Sequence, residues 1–165
     1  MFASAGGVRH AGAMRLTLAI VLVGVAACAA RPEPTLVWEG SGAARVESLS
    51  RAVDGLPPAT GGVRRGPWGD SENATMQLLE TVEAEQPHVH ALHDLTVVLL
   101  AGRGTVVVEG RRHELRAGDV LHIGRGRVHA LEPAGRVIGV AIFTPRLEAP
   151  DYVPESMPKH KKLVQ

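Results

Sequence analysis

The stretch that decides the fold is His88–Gly104, HVHALHDLTVVLLAGRG, which places three histidines and an aspartate within seven positions and then runs into an apolar strand. In a strand, residues i and i+2 point to the same face, so His88 and His90 present two imidazoles side by side. Two ligands do not make a metal site, and a third has to come from another strand. The segment GDVLHIGRGRVH, residues 118–129, supplies one: Gly118 and Asp119 open a strand, Gly124 to Gly126 form a tight turn, and His129 lies just beyond it.

Working outward, the pattern from Thr75 on is β almost without interruption. TMQLLETV, LTVVLLA, GTVVVEG, RHEL, DVLHI, RVHAL and RVIGVAIFT are short runs separated by Gly, Pro and Asp. Strands at this spacing predict an all-β antiparallel sandwich or barrel. VEGRRHEL reads as a hairpin turning at Gly110 and Arg111. Upstream, TLVWE (35–39) reads as a strand and ARVESLSRAV (44–53) as a short helix, while DGLPPATGGVRRGPWGD (54–70) is dense in Gly and Pro and reads as loop. After Leu147 the chain carries several prolines without periodicity, which predicts a mobile tail. The expected organisation is therefore an N-terminal leader (1–27), a linker and extension (28–73), a barrel (74–147) and a tail (148–165).

The leader reads as an address. Arg9, His10 and Arg15 precede the apolar run Leu16–Ala27, which is short of the roughly 20 residues a spanning helix needs. VAAC, Val25–Cys28, resembles the lipobox of bacterial lipoproteins, which implies a lipid on Cys28, a membrane tether and a mature domain in the bacterial cell envelope. Ala29 after the cysteine fits sorting to the outer membrane or its periplasmic face. Met14 begins a complete signal of this kind and is an alternative start. Cys28 is the only cysteine, so no disulfide forms within the chain. The net charge of +1, with both signs mixed along the chain, gives no electrostatic footprint for nucleic acid, and 3% aromatic content argues against base-stacking surfaces.

Over residues 74–144 the chain resembles the cupin superfamily. Its first motif, His-x-His followed by Glu and then Gly, is met by His88, His90 and Gly102. The second is met by Gly118, DVLHI, Gly124-Arg125-Gly126, RV and His129, with Gly124 where proline is usual and Pro133 where a later asparagine is usual. The resemblance implies a single jelly-roll barrel, a double-stranded β-helix, and a divalent metal ion on His88, His90 and His129. The glutamate position is unsettled: counted back from Gly102 it falls on Leu95, and counted forward from His90 it falls on Asp94. Because a one-residue shift reverses a strand's faces, either Leu95 faces the metal and no carboxylate is present, or a kink brings Asp94 in. His93 is a lesser candidate, and His113 and His122 are expected to face outward.

Three neutral imidazoles leave positions open on iron, manganese or nickel, and zinc or copper would also accept them. The resemblance implies a metal-dependent, dioxygenase-type enzyme acting on a small organic molecule, behind an apolar wall expected from Val98, Leu100, Leu121 and Ile123. The competing reading is a non-catalytic module that binds or senses a small ligand. Arg125 and Arg127 read as a solvated turn, with an anion contact as the alternative. Homodimerisation through strand edges is common in the superfamily.

Overall fold

The computed structural model describes residues 33–40 and 44–155. The leader, Cys28 and residues 156–165 lie outside the described residues.

A short hairpin comes first, β1 (Thr35–Trp38) against β2 (Arg45–Ser48), followed by the helix α1 (Leu49–Asp54). Ser48 caps α1 by accepting from the Arg51 amide. The barrel follows: β3 (Val63–Asp70), β4 (Thr75–Thr81), β5 (His88–His90), β6 (Asp94–Ala101), β7 (Arg103–Val108), β8 (Arg111–Arg116), β9 (Val120–Ile123), β10 (His129–Pro133), β11 (Val137–Thr144) and β12 (Tyr152–Pro154). They form two antiparallel five-stranded sheets, ordered β12-β5-β10-β7-β8 and β3-β4-β11-β6-β9. This is the all-β jelly roll the sequence predicts.

Alternation along the strands sorts two cores. Leu95, Val106, Ile123, Ala141 and Phe143 pack between the sheets. Leu36, Leu49, Val53, Leu56, Trp68, Leu78 and Ile138 pack on the outer face of the second sheet, under β1, β2 and α1. Strand β11 serves both, with Ala141 and Phe143 inward and Ile138 outward, so its sequence VIGVAIFT is apolar on alternate and intervening positions alike. Arg64 ties the outer layer down, donating to Glu80 at 2.6 Å and to the Leu56 carbonyl at 2.5 Å. Burial lifts the Glu80 carboxyl, but its bonds to Arg136 and Arg64 outweigh that and hold it below its ordinary value.

Four expectations are corrected. Residues 63–70 are not loop but the edge strand β3. Its proline is tolerated because Pro67 sits at an edge and at a register shift, and its glycines leave room for neighbours. A Cβ on Gly69 would lie 2.7 Å from the Trp38 ring, and one on Gly66 2.8 Å from Leu56. The expected helix over 44–53 is half strand, because Arg45–Ser48 pairs with β1 before α1 begins. The β7–β8 hairpin turns at Glu109 and Gly110, both at positive φ, one residue earlier than expected. The C-terminal segment is not a free tail as far as residue 155: β12 pairs with β5, Tyr152 opposite His90, and Asp151 is buried.

Candidate metal centre and its cavity

Register brings the histidines together. His129 on β10 is the direct partner of His88 on β5, and His90 lies two residues along on the same face. The ring centroids are 4.3 Å apart for His88 and His129, 5.2 Å for His88 and His90, and 5.3 Å for His90 and His129. All three residues are buried, and one ring nitrogen of each lies within 4.8 Å of the others.

The backbone selects the nitrogen that points inward. Nδ1 of His88 donates to the Gln86 carbonyl at 2.8 Å, Nδ1 of His90 to the Asp151 carbonyl at 3.1 Å, and Nδ1 of His129 to the Arg127 carbonyl at 2.9 Å. A proton on each Nδ1 leaves each Nε2 with a lone pair, the tautomer a metal-ligating histidine needs. His129 Nε2 is buried without a hydrogen-bond partner among the described residues. An orphaned buried acceptor is costly, and a cation at the cluster would satisfy it.

Burial also holds the rings neutral. It lowers the pKa of His88 and His129, and it takes His90, helped by its two histidine neighbours, down to about 4. Three neutral nitrogen donors fit a borderline divalent ion such as iron, manganese, nickel or zinc.

The carboxylate question resolves by register. On β6, Leu95 pairs with Phe143 and Asp94 with Thr144, so the two side chains take opposite faces. Leu95 is buried and lines the cavity with the histidines. Asp94 is therefore corrected as a metal ligand. It faces outward and accepts from the Arg125 amide at 2.9 Å and from the Arg125 guanidinium, bonds that hold its pKa low. It thereby pins the turn that leads to His129, and that is what Arg125 does in place of an anion contact at the mouth.

His93 also lies outside the cluster. Its Nδ1 meets Asp151 Oδ2 at 2.6 Å and its Nε2 meets the Arg146 carbonyl at 3.3 Å. His113 and His122 are exposed, as expected.

The histidines open into an interior cavity of about 250 Å³. Leu121 and Ile123 line it as anticipated, but on β6 it is Leu95, Val97 and Leu99 that face inward, not Val98 and Leu100. Three contributors escape a reading of the sequence. Tyr152 stacks on His88, with centroids 4.3 Å apart and planes at 27°. Asp151 accepts from the amides of Ala91, Leu92 and His93 at 3.1, 2.8 and 3.1 Å while its carbonyl orients His90. Glu85 lines the cavity and accepts from the Leu131 amide at 3.0 Å. Burial raises the Glu85 carboxyl against that bond and against the nearby His129 and Arg65.

Two antiparallel sheets closed around an inward three-histidine cluster define a small jelly-roll barrel with a candidate metal centre. The Cupin domain family matches residues 75–143, the barrel strands from β4 to β11. An uncharacterized protein of Aquifex aeolicus (strain VF5) is 34% identical over 85 residues, 51% of this chain and 70% of that protein. Among solved structures, KdgF from Halomonas sp. is 19% identical with a TM-score of 0.52, over 56% of this chain and 87% of that one. An RmlC-like cupin from Shewanella frigidimarina NCIMB 400 is 22% identical with a TM-score of 0.50, over 56% and 85%. The nucleoside dehydratase Pac13 is 15% identical with a TM-score of 0.51, over 58% and 80%. At these identities the solved structures share the fold with this chain.

Proposed function

We propose that this protein is a metal-dependent cupin enzyme of the bacterial envelope, an oxidoreductase of dioxygenase type acting on a small organic molecule. The observation that carries the reading is the set of three Nε2 atoms, each fixed by a carbonyl on its own Nδ1, meeting in a largely apolar cavity. When bound there, a redox-active divalent ion such as iron, manganese or nickel would polarise a substrate oxygen and supply the redox chemistry. The chain's own part is to present three neutral donors and to shield them with Leu95, Leu99, Leu121 and Ile123. Glu85 adds a carboxyl on the cavity wall, held by the Leu131 amide and raised in pKa by burial.

The test is oxygen uptake by the metal-loaded protein over a panel of diols, diketones and thiols. Uptake that needs both metal and His129 supports the reading, and stoichiometric binding of a panel member without turnover overturns it. That second outcome would favour the non-catalytic ligand-binding reading, which the apolar Leu95 in the glutamate position supports. The envelope location rests on the lipobox-like VAAC. A Cys28→Ser variant should leave the membrane fraction or stall in processing, and unchanged fractionation would remove the lipoprotein part of the proposal. A homodimer through strand edges is testable by sedimentation.

A further inference from the structure

Adjacent arginines on β3 have different fates. Arg64 faces the outer layer and spends its guanidinium on Glu80 and on the carbonyls of Asp54 and Leu56. Arg65, on the opposite face, lines the cavity and is the only Lys or Arg among the described residues that does. It makes no side-chain hydrogen bond or ion pair with a described residue.

Its position is tied to the histidine cluster through one ring. The Arg65 guanidinium lies 6.0 Å from the centre of the Tyr152 ring, and that ring stacks on His88. The acid on the cavity wall, Glu85, feels the Arg65 charge but makes no ion pair with it, and its Oε2 accepts from the Leu131 amide. The cavity therefore has donors for a cation at one end, aliphatic walls from Leu79, Leu99 and Val106, and an uncommitted guanidinium at its edge. A guanidinium is a planar fork that matches a carboxylate. The volume of about 250 Å³ is below the roughly 300–1,000 Å³ of pockets that take drug-sized molecules.

We infer that the site takes a small organic anion, with oxygen donors for the ion that the three histidines would hold, a short apolar body against the aliphatic wall and a remote carboxylate on Arg65. This rests on the metal-centre reading above and adds the charge class of the ligand and the residue that selects it.

Calorimetric titration of the metal-loaded full chain with succinic monohydroxamate and glutaric monohydroxamate, each against its methyl ester, tests it. The hydroxamate chelates any of the candidate ions, and the ester removes the remote charge at nearly constant size. At least one acid should bind several-fold more tightly than its ester, the scale of one charge pair on an exposed guanidinium. In Arg65→Gln that ratio should fall to near unity, and in Arg65→Glu it should invert, with metal content unchanged in both. Acid and ester binding alike in the wild type overturns the inference. So does a preference that survives Arg65→Gln, because the metal's own charge would then account for it. Metal content is measured first. A wild type that holds no metal removes the metal-centre reading and this inference together, whereas full metal without charge discrimination removes the inference alone.

Discussion

His90 and His93, three residues apart on one segment and both buried, have opposite surroundings. His88, His90 and His129 each give Nδ1 to a carbonyl and keep Nε2 for the interior. His93, equally buried, has both nitrogens engaged, one with the Asp151 carboxylate and one with the Arg146 carbonyl. The cluster is open for an ion, and His93 is closed by protein groups. Burial and residue type are the same, so the difference comes from what the second nitrogen meets. Asp151 belongs to both: its carbonyl orients His90 and its carboxylate holds His93 and the 91–93 turn.

Breaking that shared residue should have the largest effect. Asp151→Ala would leave three amides and His93 without their acceptor in a buried place, a destabilisation of about 3 kcal/mol or more. Loss of the turn that fixes His90 should weaken metal binding by roughly 10–100-fold. Thermal melting and competitive metal titration read the two effects, and Asp151→Asn should recover part of each.

Leu95→Glu sharpens the comparison by giving the open set the carboxylate it lacks. A buried acid in place of a packed leucine should destabilise the metal-free protein by roughly 3 kcal/mol. Added metal should raise the melting temperature more in the variant than in the wild type. An equal increment would mean that the residue 95 side chain does not reach the cluster.

The pH dependence of the metal-free protein follows from the lowered histidine pKa values. Above 6.5, His90 is neutral in both the folded and the unfolded chain. Below that, the unfolded chain takes up a proton that the folded one refuses until about 4, so stability falls through this window. The contribution is on the order of 3 kcal/mol. His88 and His129 act in the same direction, and Glu85, whose pKa is raised, opposes them. Melting curves from pH 7 to 4 should show a shallower decline in His90→Gln than in the wild type.

Asp94→Asn should have the smallest effect. Asp94 faces outward onto Arg125, so metal stoichiometry should not change, and its loss would return Asp94 to the ligand set.

The parts of this account that the sequence made legible depend on short-range periodicity. His88 and His90 are a period-2 pair and His129 follows a Gly-rich turn, whereas the choice between Leu95, counted back from Gly102, and Asp94, counted forward from His90, is settled only by the pairing of β6 with β11, which separates their faces. The same alternation, carried two residues further, puts Val97 and Leu99 on the wall in place of Val98 and Leu100. Asp151 was hidden because its partners lie 58 to 61 residues earlier in the chain and the segment around it, LEAPDYVPE, has no period. Strand β3 was hidden because Gly66, Pro67 and Gly69 usually signal a turn, whereas here they answer to an edge position and to the approach of Trp38 and Leu56.

The central claim is that three histidines, and no protein carboxylate, form a metal centre. X-ray absorption spectroscopy of the protein loaded with its native metal tests it most directly. The account predicts stoichiometric metal with three imidazole nitrogens and no protein carboxylate in the coordination sphere, and loss of that metal in His129→Ala. Absence of stoichiometric metal, a coordinating protein carboxylate, or an unchanged spectrum in His129→Ala would contradict it.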